Sequence, residues 1–240
     1  MRFDHSMQLG FEREIRGKDK YDKISHGTDP LDLLNSKRFD IAAKTIYARN
    51  RMKNTDSEFP VELYLEHLKV WNNLYEKSPE KIGEKSFIDA FDNLLSDINT
   101  NGFDANKGKI PTIQGSAING AHRIASSIVT ANEVQTYEGK ISEGQYNCNF
   151  QYFKNKNNFV DTGLGEIYLD EMALEFCRNK SNLYTITIFP SHDIDVANIL
   201  SHINKKNEII YCKKVTLDNH GKTNFVHNLY HNEGWIGSRQ

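Results

Sequence analysis

A short segment near the middle of the chain combines residue types that bind phosphate. His122 and Arg123 follow Gly120 after one alanine, where a β-rich stretch changes to helical spacing. N–H groups in a helix's first turn lack partners within the helix and suit an anion, and arginine can add a bidentate grip on phosphate. The alternative is an ordinary helix start in which His122 packs and Arg123 is solvated. We predict phosphate binding by Asn119, Gly120, Ala121, His122 and Arg123.

The common nucleotide-binding and hydrolase motifs do not describe this segment. Gly115 and Gly120 have the glycine spacing of a P-loop, but Ala121 and His122 stand where that motif needs lysine and serine or threonine. The sequence also lacks the GxGxxG, HExxH and GxSxG patterns. A Walker-type NTPase is therefore excluded.

A second group of reactive side chains lies near Arg38. Asp40, Lys44 and Tyr47 follow at spacings that place them on one helix face. Phosphoryl transfer to a hydroxyl needs a carboxylate to orient or deprotonate the acceptor, and cations to neutralise the phosphoryl group. We predict Asp40 as the general base or orienting group, with Arg38 and Lys44 as the cations, assisted by Arg123. The alternative is an ordinary ion pair on a solvated helix face.

Two acids follow a predicted strand in the second half of the chain. Ser191, His192, Asp193 and Asp195 come after the apolar residues of 184–189. Ligands of α/β sheets bind at the carboxyl ends of strands, so we predict that Ser191 and His192 contact substrate. Asp193 and Asp195 also match the acidic signature with which some glycosyltransferases hold a metal ion and a nucleotide sugar. Asp195 can instead cap the next helix.

The end of the chain, residues 230–240, is rich in aromatic residues and glycine. Free termini are usually polar and frayed. Either this tail folds back over a cleft, which would make Trp235 a substrate-binding residue, or the chain is part of a longer protein.

Apolar spacing predicts the elements that must position these groups. Helices are expected over 38–52, 64–75 and 87–98, the last closing at Asn101 and Gly102. Asp29 before Pro30 predicts a capped helix start. A hairpin with its turn at Gly115 and Ser116 is expected to lead into a helix over 121–131. Further predicted elements are an arm or peripheral helix at 1–22, a loop or edge strand at 147–158, helices at 166–178, 195–203 and 223–230, and strands at 184–189 and 208–215.

This order of elements predicts an α/β (α+β) protein. The first part, residues 1–140, is helix-heavy, and the second, residues 141–240, alternates strands and helices as a smaller βαβα layer packed against the first.

Composition bounds the class of protein. The chain has 240 residues, a net charge of −2 and three cysteines without CxxC spacing. These values argue against a nucleic-acid partner, a disulfide framework and a zinc cluster. No apolar run is long enough for a membrane helix and no apolar region follows the first charged residues, so we expect a cytoplasmic protein without a membrane partner.

The run from Asn119 to Arg123 resembles the D-G-x-H-R signature of the ParB/sulfiredoxin superfamily. It follows a hairpin, with Asn101-Gly102-Phe103 and Ile110-Pro111 before it. The resemblance covers about residues 24–140. It implies a ParB/sulfiredoxin-like fold with a helix-rich insertion, in which the motif binds nucleotide phosphates at a helix N-terminus.

Departures from the signature favour one branch of that superfamily. Sulfiredoxins carry a catalytic cysteine where this chain has Ala121, so sulfur reduction is not expected. Partition proteins continue with a helix-turn-helix and a basic surface, which the second half does not resemble. The small-molecule kinase branch remains, although Asn119 replaces a usual aspartate and Ala121 stands where a histidine can occur.

The resemblance therefore implies a kinase that uses ATP or ADP with Mg²⁺ bridging the phosphates. It acts on the hydroxyl of a small molecule, with free L-serine as the first candidate and a sugar or polyol as the next. The tail resembles those of bacterial proteins of surface-polysaccharide biosynthesis, which would place the substrate in a cell-surface glycan pathway. The alternatives are a nucleotide-dependent DNA-binding module of the partition type and a glycosyltransferase that uses Asp193 and Asp195.

Overall fold

The computed structural model describes residues 21–55, 57–77, 80–139, 148–155, 163–184, 196–204 and 208–213. Backbone contacts divide the chain into two units, Met1–Ile210 and Tyr211–Gln240. Only residues 211–213 of the second unit are described. All the elements below belong to the first unit.

The described residues form a helix-rich mixture of α-helices and short strands. This is the α+β class that the sequence predicts. In chain order the elements are β1 (Tyr21–Thr28), α1 (Asp40–Met52), α2 (Phe59–Asn72), β2 (Tyr75–Lys77), β3 (Glu80–Ile82), α3 (Gly83–Asn101), β4 (Ile110–Ile113), β5 (Ser116–Ala117), α4 (Ala121–Thr130), β6 (Val134–Gly139), α5 (Phe150–Lys154), α6 (Glu166–Asn179) and α7 (Val196–Asn204). Among them, no helix is both long and apolar enough to cross a membrane.

A four-stranded mixed sheet has the order β1-β6-β4-β5. β6 runs antiparallel to β1 and parallel to β4, with Ile110 opposite Thr136. β5 returns antiparallel to β4 through a turn at Gln114 and Gly115, both of which have positive φ (50° and 71°). The chain then passes through α4 before entering β6, so α4 is the crossover between the parallel strands β4 and β6.

Helix α1 lies at the centre of the helical layer. It packs against α2, α3, α4 and α6, and ten of its 13 residues are buried. Alanines at 42, 43 and 48 allow the neighbouring helices to approach closely. Because α1 is enclosed on several sides, its polar residues Asp40 and Lys44 are removed from water together with the apolar ones.

An aromatic core holds α1, α2 and α3 together. The ring of Tyr47 lies 4.5 Å from that of Tyr64 and 5.1 Å from that of Phe91, measured between centroids. The whole cluster comprises Tyr47, Ala48, Tyr64, Leu68, Phe87, Phe91, Leu95 and Ala125. Aromatic rings bury large areas and have a preferred mutual geometry. This cluster therefore fixes how α1, α2 and α3 pack against each other.

The structure confirms the main predictions for the first half. The three predicted helices correspond to α1, α2 and α3, and α3 ends at Gly102, whose φ is 76°. The predicted hairpin and the helix after it are β4, β5 and α4. Asp29 does cap a helix, accepting a hydrogen bond of 2.9 Å from the Leu31 N–H, but that helix is a single 3-10 turn at Pro30–Leu33.

Other predictions are wrong or lie outside the described residues. In the segment 147–158, predicted as a loop or edge strand, the described residues 148–155 contain the short helix α5, capped by Asn149. Residues 208–213 are described without helix or strand. The sequence prediction also missed β2, β3, β6 and β1, and the first two residues of β1 fall in the segment predicted as an arm or peripheral helix. The helices at 166–178 and 195–203 are confirmed as α6 and α7. Residues 1–20, all of the predicted strand at 184–189 except Tyr184, and the predicted helix at 223–230 are not described.

Two glycines give a matched test of the turn before α4. Gly115 has φ 71° and a Cβ there would meet nothing within 4 Å, whereas Gly120 has φ 84° and a Cβ would lie 2.5 Å from the buried Ile110 Cδ1. A left-handed residue other than glycine costs about 1–2 kcal/mol, and overpacking adds about 1–3 kcal/mol. Urea denaturation should therefore show a clearly larger loss for Gly120→Ala than for Gly115→Ala. Equal losses would contradict the described packing of Gly120 on β4.

Candidate active site

Both sequence-predicted segments line one cleft. Arg38, Asp40 and Lys44 come from the start of α1, and Asn119, Ala121 and His122 from the start of α4. The cleft has an empty volume of about 450 Å³, part of it open to solvent. The remaining lining residues, which come from α2, β2 and α3, are Leu68, Trp71, Asn72, Glu76 and Phe87.

A buried ionic cluster forms the floor of this cleft. The Arg38 guanidinium grips the Asp40 carboxylate with two hydrogen bonds, of 2.8 Å from Nε and 3.0 Å from Nη2. The Lys44 ammonium donates to the same carboxylate at 2.8 Å. Each of these side chains is no more than 4% exposed. The alternative of a solvated surface ion pair is therefore wrong.

Arg38 is also tied to the sheet and to the chain near Cys148. Its Nη1 donates to the backbone carbonyl of Ala117, the last residue of β5. The neighbouring backbone forms a parallel bridge, in which Cys148 N–H donates to the Lys37 carbonyl at 2.8 Å and Phe39 N–H donates to the Cys148 carbonyl at 3.0 Å. These contacts fix the entry to α1, and with it the position of the guanidinium.

His67, on α2, holds the other side of Lys44. Its Nε2 lies 3.1 Å from Lys44 Nζ, and its Nδ1 contacts the backbone carbonyl of Tyr64. A carbonyl only accepts, so Nδ1 carries the proton and Nε2 accepts from the ammonium. Burial together with the charge on Lys44 lowers the pKa of His67 well below its usual value. His67 is therefore neutral at physiological pH.

Charge interactions control protonation within the cluster. Burial by itself would raise the pKa of Asp40, but the neighbouring Arg38 and Lys44 charges lower that pKa well below its usual range. Burial also lowers the pKa of Lys44, although the Asp40 carboxylate opposes this shift. Asp40 is consequently a firmly ionised carboxylate, and a weak base.

His122 stands beside this cluster at the start of α4. Its Nε2 lies 3.0 Å from the Tyr64 hydroxyl, and its ring meets that of Phe91 edge-on with centroids 4.6 Å apart. Burial, with the charges of Lys44 and Lys81, lowers the pKa of His122 well below its usual value. The result is a neutral imidazole in the wall of the cleft, with Nδ1 as the nitrogen that Tyr64 does not contact.

The helix that the sequence predicts from residue 121 begins directly after Gly120. Gly120 is left-handed, with φ 84°, and no side chain caps the helix. The Gly120 N–H donates to the Asn119 side-chain oxygen at 2.5 Å, which orders the turn. The first two residues of this helix, Ala121 and His122, line the same cleft as Arg38 and Lys44.

Arg123 is not in this lining. Its Nη1 donates to the Gly108 carbonyl and its Nη2 to that of Lys109 at 3.5 Å, and its guanidinium lies 5.9 Å from the centre of the Phe103 ring. In the structure Arg123 thus fastens the loop before β4 and is not the solvated side chain of the alternative, while its role as a phosphate ligand stays a prediction.

The remaining predicted site residues lie elsewhere. Tyr47, predicted on the same face as Asp40, sits in the aromatic core and donates to Asp92 at 2.7 Å. Residues Ser191, His192, Asp193, Asp195 and Trp235 lie outside the part of the chain that the structure describes, so their assignments stay predictions.

The sequence prediction missed several lining or supporting residues. His67, Tyr64 and Trp71 were interpreted only as members of a predicted helix, and Asn72 and Glu76 were not singled out. Helical periodicity marks which positions are buried, but it carries no signal that His67 meets Lys44, 23 residues earlier in the chain.

The Asp40 carboxylate is the acidic group in the floor of the cleft that a metal ion could contact. Both Asp40 oxygens already accept hydrogen bonds from Arg38 and Lys44. Among the described residues, no group of three or more His, Cys, Asp or Glu side chains is placed to hold a metal ion. The Asp40 carboxylate is therefore already neutralised by these two cations.

Comparison with protein-family models, curated proteins and solved structures finds no match to this chain.

Removing the Asp40 charge tests the ionic floor. Asp40→Asn leaves Arg38 and Lys44 buried without their carboxylate, and breaking such a pair costs about 3–5 kcal/mol. The matched control is Asp89→Asn, which removes an exposed pair with Lys85 worth about 0.5 kcal/mol or less. Guanidinium denaturation of both variants measures the difference. Similar small losses would mean that the cluster is solvated.

The two neutral histidines predict a pH dependence of stability. Because the folded-state pKa values of His67 and His122 are lowered, the unfolded chain binds more protons below about pH 6.5, and the free energy of unfolding should fall from pH 7 to pH 5. Each histidine contributes up to about 1.4 kcal/mol per pH unit. His67→Gln should flatten this slope, while His202→Gln, at an exposed position on α7, should not. An unchanged slope in His67→Gln would contradict the assignment.

Proposed function

We propose that this chain is a phosphotransferase that moves the terminal phosphoryl group of a nucleotide, ATP or ADP, to the hydroxyl of a small molecule. The observation that carries the proposal is the meeting of two distant segments in one cleft. One supplies a buried guanidinium and ammonium, and the other supplies the open start of a helix and an imidazole.

Charge favours an anion in this cleft. The described groups of the floor are two cations and one carboxylate, and the two histidines beside them are neutral. The first-turn N–H groups of α4 add a partial positive charge. Preorganised positive groups in a site with little water stabilise the charge that develops on a transferred phosphoryl group.

A ParB/sulfiredoxin-like arrangement of the first part agrees with this proposal. The supporting feature is the sequence of strand β4, tight turn, β5, left-handed Gly120 and helix α4 opening on His122. This is the local context in which the resemblance implies a phosphate site. The position of Arg123 differs from that expectation, and its role in gripping phosphate passes to Arg38, Lys44 and the helix start.

The structure favours a positioning role for Asp40 over the predicted role of general base. Both oxygens of Asp40 already accept hydrogen bonds from Arg38 and Lys44, so this carboxylate is poorly placed to take a proton from the acceptor. We assign to it the positioning of Arg38 and Lys44, which face the phosphates. All three residues stay in the proposed site, but Asp40 is no longer the group that accepts the proton of the acceptor.

His122 is the better candidate for proton abstraction. It is neutral, it lines the cleft, and Tyr64 fixes its ring through Nε2. In the proposed step His122 Nδ1 takes the hydroxyl proton of the acceptor as the acceptor oxygen bonds to the terminal phosphorus. The bond from that phosphorus to the bridging oxygen breaks, and the shortened nucleotide leaves with the bonding electrons.

Free L-serine is the first acceptor to test, because the superfamily resemblance implies it, and a sugar or polyol is the next. The glycosyltransferase alternative gains no support from the described residues, since Asp193 and Asp195 lie outside them. The DNA-binding alternative stays a prediction.

His122→Ala should separate binding from chemistry. Wild-type protein in magnesium ATP at 100 times the dissociation constant should gain about 2.7 kcal/mol of stability. The variant should keep that gain while turnover falls by about 10²–10⁴, the usual effect of losing a general base. Thermal melts and a coupled assay of nucleotide consumption with an acceptor mixture measure the two quantities.

Arg123→Ala is the matched control for the phosphate site. Because Arg123 contacts backbone carbonyls outside the cleft lining, this variant should lose stability but keep its nucleotide affinity. Loss of nucleotide binding in Arg123→Ala alone would restore Arg123 as the phosphate ligand. If neither ATP nor ADP shifts the melting of the wild-type protein, the proposal is wrong.

A further inference from the structure

The wall of the cleft formed by α2, β2 and α3 contains an amide whose direction is fixed. Asn72 is buried, with 7% of its surface exposed. Its Oδ1 accepts a hydrogen bond of 3.1 Å from the Leu74 N–H. This identifies Nδ2 as the atom left to face the cleft, and Nδ2 has no hydrogen-bond partner among the described residues. A nearly buried amide with two unused donors indicates a ligand that supplies acceptors.

A carboxylate on the same wall supplies the opposite function. Glu76 on β2 lines the cleft, and its Oε2 pairs with the Lys81 ammonium at 2.5 Å. No described residue donates to its Oε1. Asn72 therefore offers donors and Glu76 an acceptor at one end of the same cleft.

An aromatic residue completes the wall. Trp71 lines the cleft next to Asn72 in the sequence, and Tyr152 holds its ring edge-on with centroids 5.6 Å apart. Leu68 and Phe87 add apolar surface. An indole beside polar groups suits a ligand with both C–H faces and hydroxyls.

We infer that this wall is the acceptor subsite of the proposed phosphotransferase and that it selects a sugar or polyol over a free amino acid. The inference rests on the proposed function for the site. A hydroxyl both donates and accepts, so neighbouring hydroxyls satisfy Asn72 and Glu76 together while the C–H groups pack on Trp71.

The charge on the wall argues against a zwitterion. Glu76 is already neutralised by Lys81, which also lies 5.0 Å from the centre of the Phe87 ring. An amino acid would have to pull these two charges apart to pair its ammonium and carboxylate, and separating a partly buried pair is costly. Neutral hydroxyls leave the pair intact.

Asn72→Asp is the sharpest variant for this subsite. It keeps the oxygen that accepts from Leu74 N–H, but it replaces the two donors with a second oxygen. The 240-residue chain is given magnesium ATP with glucose, ribitol, glycerol or L-serine, and phosphorylated products are identified by mass spectrometry. Saturation-transfer NMR without nucleotide measures binding of the same compounds.

We expect a sugar or polyol to be phosphorylated with a lower KM than L-serine. Losing the Asn72 donors should raise that KM tenfold or more, since about 1.4 kcal/mol corresponds to one decade. The KM for ATP should change less than about threefold. Asn72→Ala should behave likewise, and Asn93→Ala, at an exposed position on α3, should match the wild type.

The outcomes separate this inference from the proposed function. Preferred phosphorylation of L-serine, or a polyol KM unchanged in Asn72→Asp, overturns the subsite while the phosphotransferase stands. Polyol binding that depends on Asn72 without phosphate transfer to any compound supports the subsite and overturns the phosphotransferase. Neither transfer nor binding overturns both.

Discussion

The buried carboxylate of Asp40 is the interaction on which the rest of the site depends. Because helix α1 packs against four other helices, the charged side chains of Asp40 and Lys44 are almost completely removed from water. An unpaired carboxylate or ammonium at such a position would strongly destabilise the fold. Arg38 and Lys44 neutralise the Asp40 carboxylate, and the carboxylate in turn neutralises them. His67 accepts a further hydrogen bond from the Lys44 ammonium. The same contacts hold the two cations in the floor of the cleft.

The start of α4 forms another part of the cleft that these cations line. Because Arg38 also donates to the carbonyl of Ala117, the cluster is tied to the hairpin that leads into Gly120 and His122. The aromatic core fixes Tyr64, and Tyr64 fixes His122. Packing, rather than any single motif, thus sets the distances in the proposed site, which is why an isolated signature of five residues describes it only in part.

The sequence predicted the helices and turns well where neighbouring residues alone determine the backbone conformation. Glycine at the end of α3 and the tight hairpin are examples, and so is the position of the helix start at 121. Burial was harder to predict, because Asp40 and Lys44 have the spacing of a surface ion pair and only the enclosure of α1 distinguishes the two cases. The direction of Arg123 depends on carbonyls 14 and 15 residues away. β6 was missed because its polar residues mask the alternation of buried Val134 and Thr136.

The most direct test of the account is an NMR titration of isotope-labelled protein with inorganic tripolyphosphate. This probe carries the phosphate chain of a nucleotide without its base or sugar. If the cleft is a phosphate site, a single saturable set of amide shifts should centre on Ala121, His122 and Lys44, while the amides near Arg123's partners at Gly108 and Lys109 change less. Shifts centred away from the cleft, or none at millimolar tripolyphosphate, would contradict the central claim that this cleft binds the phosphates of a nucleotide.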